Sequence, residues 1–96
     1  MRRTGSALRG WRFNQKLRVL PAGCTLRIEL LAPALIRWTV NDWRSSTDSD
    51  TRPSGLGTHY LDIDATLLPA GASVAFTPCW IDAAHWEGVN FVVQVR

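Results

Sequence analysis

Apolar and polar residues alternate at period two through most of this chain, and that rhythm predicts short β-strands. In Thr25-Leu26-Arg27-Ile28-Glu29-Leu30 the residues Leu26, Ile28 and Leu30 take one face while Thr25, Arg27 and Glu29 take the other. Leu35 to Val40 repeats the pattern with Ile36, Trp38 and Val40 together, then breaks through Asn41-Asp42 into Trp43. His59 to Asp64 places Leu61 and Ile63 inward and Tyr60, Asp62 and Asp64 outward, and Asn90 to Val95 aligns Phe91, Val93 and Val95. Ser73 to Thr77 is a further strand, with Pro78 marking an edge or bulge because proline cannot donate to a ladder. Gly10-Trp11-Arg12-Phe13-Asn14 predicts a first short strand with Trp11 and Phe13 on one face.

Punctuation supports the same reading. Pro21-Ala22-Gly23 and Pro69-Ala70-Gly71 are turn sequences, and the polar run 44–58 is expected as the longest loop. No segment holds a 3.6-residue apolar period long enough for a helix. Six to eight short strands at spacings near ten residues predict an all-β, antiparallel two-sheet sandwich, immunoglobulin-like or carbohydrate-binding-module-like. Residues 10–96 form that single domain, and residues 1–9 are expected as a basic leader.

Two strands run into a tryptophan just past a turn: Leu35–Val40 into Trp43, and Ser73–Trp80 into Trp86. The chain has five tryptophans in 96 residues. A domain of this size buries only a little over ~60% of the surface of its unfolded chain, so some indoles must meet solvent. Alternation assigns Trp38 and Trp80 to the core and leaves Trp43 and Trp86 as exposed plates or as lids over the sandwich ends.

Charge narrows the partners. The net charge is +3, yet Arg2, Arg3, Arg9, Arg12, Lys16 and Arg18 precede residue 19 with no acid among them. The remaining body carries five positive and eight negative charges. Nucleic-acid recognition calls for a basic face with interleaved aromatics, so this placement argues against a nucleic-acid partner. No apolar run approaches the ~18 residues of a membrane helix, and no signal-like apolar region follows Met1-Arg2-Arg3, which gives a cytoplasmic expectation and no membrane partner. Cys24 and Cys79 are better read as thiols than as a disulfide on those grounds, although both states are open.

No catalytic motif with recognisable spacing is present, and no cofactor is expected. Asp62 and Asp64 share a strand face, where two acids are usually solvated charges. Asp48-Ser49-Asp50 alternates oxygens as a calcium loop does, but the glycine and distal glutamate of that pattern are missing, so no metal is expected. The aromatic set remains. A sugar ring offers a C–H face and a rim of hydroxyls, which an indole flanked by planar hydrogen-bonding groups complements. Trp43, Trp86, Tyr60, Asn41, Asp42 and Arg44 are the candidate carbohydrate contacts.

A family resemblance bears on that chemistry. Trp11-Arg12-Phe13-Asn14, Pro21 to Ile28, Ile36 to Trp43, Gly55-Leu56-Gly57-Thr58-His59-Tyr60, Phe76-Thr77 and Trp80 through Gly88 resemble, in order, the C-terminal β-domain of bacterial glucoamylase-type family 15 glycoside hydrolases. The resemblance covers residues 10–95. It implies a non-catalytic sandwich associated with an α-glucan-cleaving enzyme, either touching glucan itself or packing on a catalytic barrel. No such barrel lies in this chain and its glutamate pair is missing, so hydrolysis is not expected of the chain alone. Thr77-Pro78-Cys79-Trp80 departs from the family pattern.

Overall fold

A computed structural model describes residues 7–96, and all of its regular structure is β. Two sheets face each other. The smaller runs β1 (Leu8–Trp11), β3 (Thr25–Leu30), β7 (His59–Asp64), β6 (Arg52–Pro53); the larger runs β2 (Val19–Leu20), β10 (Phe91–Val95), β8 (Ser73–Trp80), β4 (Ala34–Thr39), β5 (Thr47–Asp50), with β9 (His85–Trp86) also on β8. The expected all-β sandwich is therefore the fold, with ten strands in place of six to eight.

The pairing is mixed where antiparallel was expected. β1 lies parallel to β3, and β2 parallel to β10. Residues 12–18 carry the chain from the edge of one sheet to the edge of the other, so it enters both edges running the same way. β1 starts at Leu8, inside the segment expected as leader; residues 1–6 lie outside the described ones.

The run 44–58, expected as one long loop, contains β5 and β6, each closing one edge of a sheet. Alternating apolar residues were the strand signal, and edge strands need few of them: β5 reads Thr-Asp-Ser-Asp and β6 Arg-Pro. Pro53 is at home there because an edge leaves one row of donors unused. Pro78, by contrast, sits mid-strand in β8 between two neighbours. Its carbonyl accepts from the Glu87 amide at 2.9 Å. The missing N–H points the same way, into the gap where β10 pairing ends at Phe76 and β9 pairing begins at Cys79.

The core is built by the predicted apolar faces, Leu26, Ile28, Leu30, Ile36, Ile63, Val93 and Val95, together with Val74 and Phe76 of β8. Its aromatic centre is Trp11, 1% exposed, which meets Phe76 at 4.9 Å, Phe91 at 4.8 Å and Phe13 at 5.0 Å between ring centroids. Trp38 and Trp80, assigned to the core by alternation, lie on the inner face but toward its margins, half-buried, with their indole N–H groups on Ser49 and Glu87. A donor that must find a partner favours the margin over the apolar centre. The thiols are both free, Cys24 buried and Cys79 half-buried.

The β4–β5 connection turns on Asn41-Asp42-Trp43-Arg44, closed by Arg44 N–H donating to the Asn41 carbonyl at 3.2 Å. Asp42 and Trp43 both have positive φ, 57° and 66°, the signature of the primed hairpin turn that matches strand twist. Buried Thr39 holds it: the Asn41 and Trp43 amides donate to its hydroxyl oxygen at 3.2 and 3.1 Å, and that hydroxyl donates to the Ser45 carbonyl at 2.6 Å.

Two stability predictions follow from this packing. Trp11→Ala is expected to cost about 3–5 kcal/mol in a urea titration, as aromatic truncations in cores do. Thr39→Val keeps the shape and strands two amides, so it should cost roughly 1–3 kcal/mol and shift Trp43 emission before global unfolding.

Candidate functional site

The predicted carbohydrate residues do not converge. Asn41, Asp42, Trp43 and Arg44 share the β4–β5 turn, Trp86 stands on β9, and Tyr60 belongs to the other sheet. The register separates the two tryptophan corners along β8: Thr39, just before the turn, pairs with Ala75, whereas Trp86 pairs with Cys79. Four residues at ~3.3 Å each put about 13 Å between those levels. Trp43 and Trp86, both 37% exposed, thus stand at opposite ends of the larger sheet.

Within the turn, Asn41 is committed internally. Its side-chain oxygen accepts from the Ser45 amide at 3.1 Å and its amide nitrogen donates to the Ser45 hydroxyl at 2.9 Å. It shapes the loop that presents Trp43. Tyr60 has the Arg27 guanidinium 4.4 Å above its ring, and Arg27 forks onto Asp62 at 2.7 and 2.9 Å. That arrangement also separates the two acids of β7: Asp62 serves Arg27, while Asp64 accepts from the Thr66 amide and hydroxyl, which hold its carboxyl below the ordinary carboxylate value.

Trp86 has the most developed surroundings. Alternation along β8 and β4 places Cys79, Thr77, Leu35 and Arg37 on the outer face with it, since Cys79 pairs with both Leu35 and Trp86. The Arg37 guanidinium reaches to 4.7 Å from the Trp86 ring centroid and forks onto Asp48 of β5 at 2.8 and 2.9 Å. Hydrogen bonding from Arg37 lowers the Asp48 pKa, and the same contact raises that of Arg37. An indole, a guanidinium and a carboxylate, from β9, β4 and β5, therefore lie close together on one outer face, the charged pair two residues along the register from the indole. Arg37 was legible as an outward residue but Asp48 was not legible as its partner, because it fell in the stretch expected as loop.

Round the corner at the same end, the two sheets part to leave a cleft of about 540 Å3. Glu29 and Leu30 at the end of β3, with the connecting segments that hold Arg12, Phe13, Asn14, Leu31, Leu56 and Thr58, line it from the side of the smaller sheet; the larger contributes Trp80. Phe13 and Trp80 rings are 5.9 Å apart and tilted by 34°. Arg12 pairs with Glu29, which also accepts from the Thr58 hydroxyl at 3.0 Å. Trp80 is fixed by its N–H on the Glu87 carboxylate at 2.9 Å, one residue beyond Trp86. Sequence reasoning did not find this cleft; Leu31 and Leu56, 86% and 90% exposed, carry no periodic signal. Among the described residues no group of three or more His, Cys, Asp or Glu is placed to hold a metal ion.

Comparison with known proteins adds one sequence relationship. No family model matches the chain, and no solved structure does. A cycloisomaltooligosaccharide glucanotransferase from Niallia circulans is 28% identical over 96 residues, a match that takes in 88% of this chain and 10% of that protein. The chain thus spans about a tenth of the length of the curated relative it matches. What it resembles is a small part of a glucan-active enzyme, without the family 15 assignment that the sequence motifs had suggested.

Proposed function

We propose that this chain is a non-catalytic accessory module of a glucan-processing enzyme, holding glucan weakly by stacking a glucose ring on Trp86. The cluster of Trp86, Arg37 and Asp48 on the outer sheet face carries the reading. Arg37 covers one side of the indole, and the 37% exposure leaves the rest to a ligand. The guanidinium and carboxylate beside it are planar groups suited to adjacent hydroxyls. The likeness to part of a glucanotransferase supports glucan as the ligand class. Trp43 with Asp42 and Arg44 is a second, separate contact at the far end of the sheet, reached by a longer chain; Tyr60 belongs to the other sheet and lies apart from both.

A second reading has a specific observation behind it. Val19 and Val92 are exposed, and the register places both on the face that carries Trp86. A domain docking on a catalytic partner through this face would bury the two valines together with the indole. The family 15-type barrel suggested by the sequence motifs belongs to this reading as its partner.

Titration with isomalto-oligosaccharides or maltoheptaose, followed by tryptophan fluorescence, separates the two. The glucan reading expects saturable quenching that Trp86→Ala abolishes and Val92→Lys leaves intact; no response to any glucan, with Val92→Lys disrupting association with an added catalytic domain, favours docking. The pH dependence has a fixed sign. Because the folded pKa of Asp48 is depressed, the Arg37 contact is fully present above the unfolded carboxylate value of about 4. It is lost as pH falls through the folded value. Affinity should therefore be flat from pH 5 to 8 and fall below about pH 4, and Asp48→Asn should remove that acid limb.

A further inference from the structure

The cleft beside Phe13 and Trp80 has the size and lining of a ligand site: within the ~300–1,000 Å3 of small-molecule pockets, mostly apolar, with a few polar groups that converge. It is walled on three sides and open to solvent past Leu31 and Leu56. In the smaller sheet the order β1, β3, β7 sets segment 12–14 and segment 56–58 on either side of Leu30-Leu31, and Trp80 stands across from them on the facing sheet. A space walled in this way suits a unit that enters end-on better than a chain that lies straight through it.

We propose that this cleft receives the terminal sugar unit of a glucan chain, its C–H face against Phe13 and Trp80 and its free hydroxyl on the Arg12–Glu29 pair. This rests on the glucan reading above and adds to it recognition of a chain end. The chemistry is in the charged pair. A terminal glucose keeps one hydroxyl that every internal unit has given up to a linkage, and a charge-assisted hydrogen bond is the strongest means of detecting it. Glu29 is held by two donors, Arg12 and Thr58, so its carboxylate is oriented before any ligand arrives. Arg12 gives only part of its donor fork to Glu29, and its side chain remains exposed. The cleft also adjoins the indole platform: Glu87, which fixes the cleft wall at Trp80, is the residue after Trp86. One oligosaccharide can place its end in the cleft and an inner ring on the outer face.

A linear and a cyclic isomalto-oligosaccharide of equal unit number distinguish end recognition from general glucan binding, since the cyclic sugar has no end. Fluorescence or calorimetric titration of the full chain should show the linear sugar binding about tenfold more tightly, the factor expected for one hydrogen bond to a charged group. Glu29→Gln should erase that difference by weakening the linear sugar alone. Leu56→Asp, at a side chain 90% exposed, should do the same with no cost in thermal stability, which keeps the test valid if Glu29→Gln unfolds the protein. Equal affinity for the two sugars, or linear affinity unchanged in both cleft variants, overturns the proposal. If Trp86→Ala still abolishes binding in that case, the glucan reading stands without it; if neither sugar binds the wild-type chain, both fall together.

Discussion

The packing of Trp11 edge-to-face on Phe76 and tilted against Phe91 is the contact through which the two sheets become one body. Trp11 comes from β1 at the edge of the smaller sheet, and its two partners come from the centre of the larger one. A sandwich of this length has few large side chains to spend on its interior, so a single indole spanning the gap fixes both the sheet separation and the path of the first strand. The parallel pairing of β1 with β3 is part of the same constraint. From that pairing the chain leaves toward the cleft end, where Phe13 packs on Trp11 and then on Trp80.

The chemistry at that end follows from strand alternation carried round a corner. β9 sets Trp86 outward on the sheet face, and the next residue, Glu87, turns back to hold the Trp80 indole from within. Two aromatic surfaces are thereby fixed relative to each other by consecutive residues, one flat and one recessed. Their polar neighbours are locked as well, Arg37 by Asp48 and Glu29 by Arg12 and Thr58. Preorganisation of this kind lowers the ordering cost that any ligand at that end would otherwise bear.

How much of this was legible in the sequence depended on what each residue's signal measured. Period two located β3, β4, β7, β8 and β10 because each has one face on the core. It was silent for β5 and β6, whose side chains bury almost nothing, and so Asp48 was separated from Arg37 on paper though bonded in the fold. Alternation also assigned Trp38 and Trp80 correctly to the inner face and overstated their depth, since it reports direction and not distance from the rim. Alternation puts Trp11 on one face with Phe13 but does not mark it as the centre. Nothing local distinguishes a strand that meets the opposite sheet from one that merely begins its own. The exposed pair Trp43 and Trp86 was identified by position after a turn, and only the register of β4 and β9 on β8 shows them to be distant.

The all-polar fifth strand has a consequence for how this domain behaves in company. Open sheets end in unused N–H and C=O groups that can recruit another polypeptide into the ladder. Along Thr47–Asp50 such a recruit would find no apolar side chain to cover on the outer face and two carboxylates repelling its own acidic counterpart. The Arg37 that neutralises Asp48 lies on the inner neighbour and cannot serve a newcomer as well. Sheet growth, and with it the route to fibrillar stacking, is blocked on that side by composition alone.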